Sequence, residues 1–329
     1  MRDVAERAGV SRQLASLVLG GRPGPSEASR EAVLHAASEL DYHPNVAAQL
    51  LRQGRTRTIG VLFAARNPFE ARFVERLLEA AEGAGFRVQL APTTGSRTTE
   101  VVVQELLEFR VEAIACFNPD PRSPSLQHAL ATMPVVWLGE RPGDPRADGV
   151  HADDDMGLRL VVDHLVGLGH RAIAYAGGRG GLVGPAREQS YRQAMRAVGL
   201  EEAIDTIPVG FDEESGAEAA RALLARDHLP TALVCCSDQC AAGALTVMAQ
   251  AGVRVPDEIS VTGFDDSTLA GLSYLSFTAV RQDVDLSVAA TLTAIERRLA
   301  EPGAPAQTVP TPTGLTVRSS TGPARGNPE

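Results

Sequence analysis

The chain has no long uninterrupted apolar run, few cysteines and few aromatic residues. No stretch reaches the roughly 20 consecutive apolar residues that a membrane-spanning helix needs. Asp3, Glu6 and Arg7 interrupt the amino-terminal segment, so it lacks the charged-then-apolar layout of a signal peptide. These absences argue against a membrane protein and a secreted protein, and we expect a cytoplasmic location without membrane contact.

The four cysteines indicate neither a disulfide framework nor a complete metal site. Cys116, Cys235 and Cys236 lie in apolar, strand-like runs, and Cys240 opens the next helix. A reduced, buried role is the simplest interpretation. The last three cysteines suggest zinc by their proximity, but no Cys-x-x-Cys pair or nearby histidine completes a ligand set. We expect no metal and no cofactor.

Common catalytic and nucleotide-binding motifs are also absent. The sequence contains no Gly-x-Ser-x-Gly elbow, no His-Glu-x-x-His and no Walker motif. The glycine-rich segment 177–184 follows a strand, as a phosphate-binding loop does, but its spacing fits neither the dinucleotide fingerprint nor the P-loop. We interpret this segment as a mobile loop and expect no enzymatic activity.

Charge is distributed unevenly along the 329 residues, whose formal net charge is −10. Residues 1–60 contain 8 arginines and 6 acidic residues, a balance of +2, whereas the remainder carries −12. An apolar content of 44% is typical of a globular protein. The short positive end is suited to meeting phosphates, and the acidic remainder repels them.

The amino-terminal end has the pattern of a helix-turn-helix unit. Residues 2–9 and 11–19 form two short predicted helices, joined at Gly9 and followed by a serine cap. Glycines and prolines then break the chain before Ser26 caps a third helix. Residues 45–57 are too short to hold a helix alone in water, so we expect them to order only when something holds them.

From Thr58 onwards, apolar strand-like runs alternate with helical patterns. This alternation predicts an α/β fold with doubly wound parallel sheets and right-handed crossovers. About 100 residues make one such unit, so the remaining chain indicates two lobes. The predicted strands are 59–63, 86–90, 113–117, 134–138, 171–176, 206–211, 231–236 and 259–263.

The chain resembles the lactose-repressor family of bacterial transcription regulators over nearly its whole length. The order and spacing of many short motifs carry the resemblance: Asp3-Val4-Ala5, Gly9-Val10-Ser11, Tyr42-x-Pro44-Asn45, Gly54-Arg55-Thr56, Thr58-Ile59-Gly60, Asn67-Pro68-Phe69, His164-Leu165, Leu168-Gly169-His170-Arg171, Glu214-Ser215-Gly216, Val255-Pro256, Val261-x-Gly263-Phe264-Asp265-Asp266 and Val280-Arg281-Gln282. The resemblance implies a homodimer that binds palindromic operator DNA and a small-molecule effector, with carbohydrate the expected class.

The resemblance also implies the domain boundaries. It places a helix-turn-helix headpiece at 1–44, a hinge helix and linker at 45–57, and a two-lobed core similar to periplasmic binding proteins at 58–321. The first lobe covers about 58–156 and 283–307, and the second about 157–280 and 308–321. Residues 322–329 are expected to form a disordered tail. They show no heptad helix of the kind that makes some relatives tetramers, so we expect a dimer.

Two residues at the start of the second helix match base-reading positions of the family. Arg12 pairs bidentately with guanine, and Gln13 with adenine, in such a position; the alternative is an ordinary polar helix face. Ser11 caps the helix and can also hold a phosphate. Ser16 contacts the DNA backbone or faces solvent. The family often has arginine at the position of Leu17, so a contact to a base is missing here. Leu17 either contacts a thymine methyl group or packs within the headpiece.

The sequence departs from the family a second time at Leu14, where threonine is common. The operator is therefore expected to differ from the common family sequence or to be bound more weakly.

In the hinge, Leu51 matches the leucine that family members insert in the minor groove. The alternative for the hinge is a charged linker. The other implied hinge contacts are support by Asn45 and Ala48 and phosphate contacts by Arg52, Arg55 and Arg57.

The effector is expected in the cleft between the lobes, beyond the carboxyl ends of the strands. Arg187 matches the family arginine that holds ligand hydroxyls or a carboxylate. Asp265 follows a predicted strand and can accept bonds from two hydroxyls, and Phe211 can stack on a sugar. Further candidates, each with a structural alternative as core, cap or lobe bridge, are Asn67, Phe69, Ser237, Asp238 and Gln282.

The sequence is compatible with three candidate functions. The first is a transcription regulator, most simply a repressor, controlled by a sugar or sugar derivative. The second is a cytoplasmic solute-binding sensor with an impaired headpiece. The third, an enzyme on a doubly wound scaffold, lacks any catalytic motif. Sequence-specific retention of DNA separates the first two.

Overall fold

Two compact units with separate hydrophobic cores make up the chain, Met1–Thr56 and Arg57–Glu329. Among the described residues, no helix is both long and apolar enough to cross a membrane. The computed structural model describes residues 1–20, 23–42, 55–140 and 143–325.

The described part of the amino-terminal unit contains three helices, α1 (Arg2–Arg7), α2 (Arg12–Leu19) and α3 (Glu27–Glu39). Gly9 has a φ of +66°, which ends the first helix two residues earlier than predicted. The Ser11 and Ser26 hydroxyls accept backbone N–H groups and cap α2 and α3, as the sequence indicated. The core that holds the three helices together consists of Val4, Ala5, Ala15, Val18, Val33, Ala36 and Ala37.

The larger unit alternates strands and helices, as predicted. Its strands are β1 (Thr58–Ala64), β2 (Arg87–Thr93), β3 (Ala113–Phe117), β4 (Val135–Leu138), β5 (Ala147–Ala152), β6 (Ile173–Gly178), β7 (Asp205–Val209), β8 (Ala232–Cys235), β9 (Ser260–Asp265), β10 (Thr278–Gln282), β11 (Thr308–Thr311) and β12 (Thr313–Thr316). Its helices are α4 (Pro68–Gly83), α5 (Thr99–Glu108), α6 (Pro124–Thr132), α7 (Asp154–Gly167), α8 (Val183–Ala197), α9 (Glu213–Leu224), α10 (Asp238–Gln250) and α11 (Val284–Ala300), with a 3₁₀ turn at Glu201–Ala203.

The strands form two six-stranded sheets, one in each lobe. The first has the order β11-β5-β4-β3-β1-β2, and the second β12-β10-β9-β8-β6-β7. All adjacent strands are parallel except β10 and β12, which are antiparallel. The chain passes between the lobes after β5, after β10 and between β11 and β12. The carboxyl ends of the parallel strands of both lobes contribute to one cleft.

The expected second-lobe boundary at residue 308 is wrong. Thr308–Thr311 instead forms β11, which pairs with β5 at the edge of the first sheet, and the Thr311 hydroxyl donates to the His151 carbonyl. The crossing into the second lobe therefore comes after this strand. Four strands were not predicted: the edge strands β11 and β12 and their interior neighbours β5 and β10. Their register depends on neighbours that are distant in sequence.

The expectation of a disordered tail from residue 322 is also wrong for residues 322–325. The Gly322 N–H donates to the Ser260 hydroxyl at 3.1 Å, and His170 Nε2 lies 3.0 Å from the Gly322 carbonyl. The Ala324 N–H donates to the Leu168 carbonyl at 2.8 Å. These bonds attach the segment to the second lobe. Residues 326–329 lie outside the described residues.

Candidate effector cleft and nucleic-acid interface

The first turn of α2 presents the two predicted base-reading side chains. Arg12 and Gln13 are both exposed, while Ser16 and Leu17 are half-buried. The Ser11 hydroxyl accepts the Leu14 N–H at 3.2 Å, which leaves its proton available for a phosphate. The described headpiece therefore has the geometry expected for a helix that enters a major groove. Packing within the headpiece covers part of the Leu17 side chain, so only the remaining part is accessible to a DNA base.

The predicted hinge residues Asn45, Ala48, Leu51 and Arg52 lie outside the described residues. Arg55 is exposed.

Arg57 does not have the environment of a phosphate contact. Its guanidinium donates to the carbonyls of Ala84 and Gly85 at 2.7 and 2.8 Å, and it lies 4.4 Å from the centre of the Phe86 ring. The side chain is attached to the first lobe, so the expectation that Arg57 meets phosphate is not supported.

A cavity of about 330 Å³ lies between the lobes, a size suited to a small ligand. Six of the eight predicted effector-contacting residues line it: Asn67, Phe69, Arg187, Phe211, Asp265 and Gln282. Residues that were not predicted also line it, among them Glu70, Asn118, Glu140, His151 and Asp154.

Asn67 and Phe69 form part of the first-lobe wall. The Asn67 side chain caps α4 by accepting the N–H groups of Phe69 and Glu70 at 3.0 and 3.3 Å. Its amide group donates to Glu70 Oε1 at 3.2 Å. The Phe69 ring packs edge-on against Phe117, with ring centres 6.2 Å apart. Asn67 thus has a structural role in addition to its place in the cavity.

Arg187 is the central cation of the second-lobe wall and is only 5% exposed. Its guanidinium pairs with Asp154 at 3.1 Å, donates to the Cys236 carbonyl at 2.6 Å, and lies 3.6 Å from the centre of the Phe264 ring. Burial lowers the pKa of Arg187, but the carboxylates of Asp154 and Asp265 raise it overall. The arginine stays charged and is held in one orientation.

Asp265 ends β9 with a φ of +120°, a backbone conformation that side chains rarely adopt. Gln282 Nε2 donates to its Oδ1 at 2.6 Å. Burial raises the pKa of Asp265 to about 7, although Arg187 and the Gln282 hydrogen bond lower it. The strained backbone and the amide together orient the carboxyl group, and Gln282 acts here as its positioning partner.

Phe211 packs closely against the glycine-rich loop predicted to be mobile. A Cβ atom at Gly180 would lie 2.8 Å from the Phe211 ring, and Gly180 has a φ of +102°. Only glycine satisfies both constraints. Gly180 and Gly181 themselves line the cavity. The loop therefore forms part of the cleft wall beside the aromatic ring.

Ser237 and Asp238 do not line the cavity, so their prediction as effector contacts is not supported. The Ser237 hydroxyl caps α10 by accepting the Cys240 N–H at 3.0 Å and donates to the Phe211 carbonyl. Asp238 is 1% exposed and accepts the Ser267 N–H at 2.6 Å. Burial and the nearby Asp265 raise its pKa well above the ordinary value. Both side chains hold the ends of strands and loops behind the cleft.

Glu70 is the most informative residue that sequence reasoning missed. It is 5% exposed, and its Oε2 accepts the Ala64 N–H at 2.5 Å. Burial raises its pKa to about 7; the Ala64 hydrogen bond lowers the pKa and the Asp265 charge raises it. The spacing from Asn67 to Glu70 matches a capping box, which would have given Glu70 only a local role.

The helix-turn-helix unit and the two-lobed core define a DNA-binding transcription regulator with a periplasmic-binding-protein-like domain. Residues 1–45 match the lacI family of bacterial regulatory proteins, and residues 162–321 match the periplasmic binding protein-like domain. The chain is 34% identical to the HTH-type transcriptional regulator CelR of Thermobifida fusca, over 86% of each protein. The chain therefore belongs to the lacI family and is a transcription regulator rather than an enzyme.

Solved structures agree with the family assignment. The lac repressor dimer bound to operator and the anti-inducer ONPF has a TM-score of 0.83 and 26% identity, covering 97% of this chain and 98% of that one. A CelR–cellobiose complex has a TM-score of 0.72 and 30% identity over the same fractions. The predicted family and fold class are confirmed.

Proposed function

We propose that the protein is a transcriptional repressor whose affinity for DNA is controlled by a small molecule, a sugar or sugar derivative, bound in the cleft. The observation that carries the proposal is the cavity itself, because residues of both lobes line it. A ligand that contacts both lobes favours one arrangement of them over another. The sugar class is supported by cellobiose in the CelR complex.

Operator recognition is assigned to Arg12 and Gln13 of α2, with the hinge residues Asn45, Ala48, Leu51, Arg52 and Arg55 as further contacts. A palindromic operator and a homodimer belong to the same proposal, supported by the lac repressor dimer bound to its operator. We place the protein in the cytoplasm, where a bacterial transcription regulator meets DNA. Ligand and operator binding are coupled reciprocally, so a ligand that weakens DNA binding must itself bind the DNA complex less tightly.

Selection of duplexes from a random DNA pool tests the proposal. The full-length protein should enrich a palindromic site, and Arg12→Ala should lose it. Arg159→Ala removes an equal charge from an exposed position on α7 and should retain the site. Adding the effector should then change retention of the selected duplex.

The second candidate is a solute-binding sensor with an impaired headpiece. It is favoured by Leu14 and Leu17, which replace polar residues common in the family. Failure of the full-length protein to enrich any sequence, with and without candidate sugars, would support this alternative and contradict the first candidate.

Sedimentation tests the proposed homodimer. The full-length protein should sediment as a dimer, and a stable tetramer would contradict the proposed assembly.

A further inference from the structure

The walls of the cleft carry more acid than base. Among the described residues, four carboxyl groups line the cavity, those of Glu70, Glu140, Asp154 and Asp265, against the guanidinium of Arg187 and the imidazole of His151. Arg187 is already committed to Asp154, to a backbone carbonyl and to the face of Phe264. Among the described residues, no ion pair neutralises the other three carboxyl groups. The described lining therefore contains more carboxyl groups than basic groups and is rich in hydrogen-bond acceptors.

Two of these carboxyl groups come from opposite lobes. Glu70 lies on α4 of the first lobe, and Asp265 ends β9 of the second. They are 5% and 9% exposed. Both line the same cavity, and the charge of Asp265 raises the pKa of Glu70. Two buried carboxyl groups from opposite lobes therefore face one cavity.

Both carboxyl groups retain unused acceptor capacity. Glu70 receives one hydrogen bond on each oxygen, from the Ala64 N–H and the Asn67 amide. Asp265 Oδ1 receives one from Gln282, and Oδ2 receives none from any described residue. A carboxylate oxygen accepts two bonds. The pair consequently offers several acceptors to a ligand that brings donors and positive charge.

We propose that the effector carries a protonated amine on a polyhydroxylated molecule, an amino sugar in chemical class, and that its ammonium group lies between Glu70 and Asp265. This inference rests on the proposed function and deepens it. An ammonium has three donors and no acceptor, and it stabilises both carboxylates. Sugar phosphates and sugar acids are disfavoured, because Arg187, the guanidinium among the described lining residues, is already paired with Asp154.

The position of the pair also gives the ligand a way to act on the protein. Without a cation, ionised Glu70 and Asp265 repel each other across the cleft. With the ammonium bound, each lobe has an attractive contact to the same group. The ligand therefore stabilises the arrangement in which the two carboxyl groups are close, which is the differential contact that a conformational shift requires.

A matched ligand panel tests the inference on the full-length protein without DNA. D-glucosamine, D-galactosamine and D-mannosamine are each compared with the parent hexose, its 6-phosphate and its N-acetyl derivative by calorimetry at neutral pH. One amine should bind at least about tenfold more tightly than all three counterparts. Glu70→Gln should weaken that amine about tenfold to hundredfold, the range for a lost charged hydrogen bond. Glu75→Gln, an exposed position on the same helix, should not.

Asp265→Asn supplies a second variant should Glu70→Gln unfold, and circular dichroism checks the folding of both. The inference is overturned if a hexose or phosphate binds as tightly as its amine, if no amine exceeds its counterparts, or if the preference survives both substitutions. Because no DNA is present, these results are separate from duplex selection. A preference for the amine without operator binding would contradict only the proposed repressor function. Operator binding without a preference for the amine would contradict only the proposed amino-sugar effector.

Discussion

Replacement of Glu70 by glutamine is expected to change the pH dependence of stability in a defined direction. The folded protein raises the pKa of Glu70 from 4.5 to about 7, mainly through burial. Because the folded state holds this proton more tightly than the unfolded chain, stability falls as the pH rises from about 4.5 to about 7. At about 1.4 kcal/mol per pKa unit, the loss is about 3 kcal/mol. Glu70→Gln stays neutral and lacks this loss.

Urea unfolding of both proteins at pH 5 and pH 8 measures the effect. Comparing wild type with variant cancels the titrating groups that do not interact with Glu70, including His164 and His170, whose pKa values are lowered by burial. The variant should gain about 2–3 kcal/mol relative to wild type on going from pH 5 to pH 8. Glu75→Gln should show no such gain. Parallel pH profiles for wild type and Glu70→Gln would refute the reasoning, since they would mean that Glu70 ionises as in water.

Three further predictions concern the headpiece and the opposite wall of the cleft. Arg12→Ala should lose about 1–3 kcal/mol of discrimination between the selected operator and a variant base pair, measured by gel retardation; unchanged discrimination would contradict base reading. Gly180→Ala should weaken ligand binding with little loss of secondary structure, because its Cβ would lie 2.8 Å from Phe211; calorimetry showing unaltered affinity would contradict this. Arg187→Met should lower the free energy of unfolding by about 3–5 kcal/mol, because Asp154 loses its buried partner; denaturant unfolding checks this, and Asp154→Asn in the same chain should restore part of the loss.

The elements that sequence reasoning predicted well are those with local causes. A glycine turn and serine caps define the headpiece helices within a few residues of each end. Strand β3 was predicted with its observed bounds, because five consecutive apolar residues need burial on both faces. Arg187 was recognised by its match to a family position, and Asp265 by its place after a predicted strand and in a family motif. Each of these inferences uses neighbours in the chain or an established pattern.

The missed features arise from contacts between distant segments. Ser237 and Asp238 have polar side chains at a strand end, as ligand contacts do, yet their partners Phe211 and Ser267 lie 26 and 29 residues away and turn them into supports. The Arg57 guanidinium donates hydrogen bonds to the carbonyls of residues 84 and 85 and contacts the Phe86 ring, rather than being exposed for a phosphate. The spacing of residues along the chain does not indicate contacts between segments so far apart in sequence.

Local patterns and motifs were sufficient to predict a helix-turn-helix headpiece, an α/β core with two lobes, and membership of a family of regulators. The chemical character of the cleft depends instead on packing between segments that are distant in sequence. Glu70 belongs by sequence to a helix cap, and Asp265 to the end of a strand 195 positions later. Folding brings both to one cavity and removes water from them. The pKa of a carboxyl group depends on that burial and on the charges around it, which only the packed lobes supply.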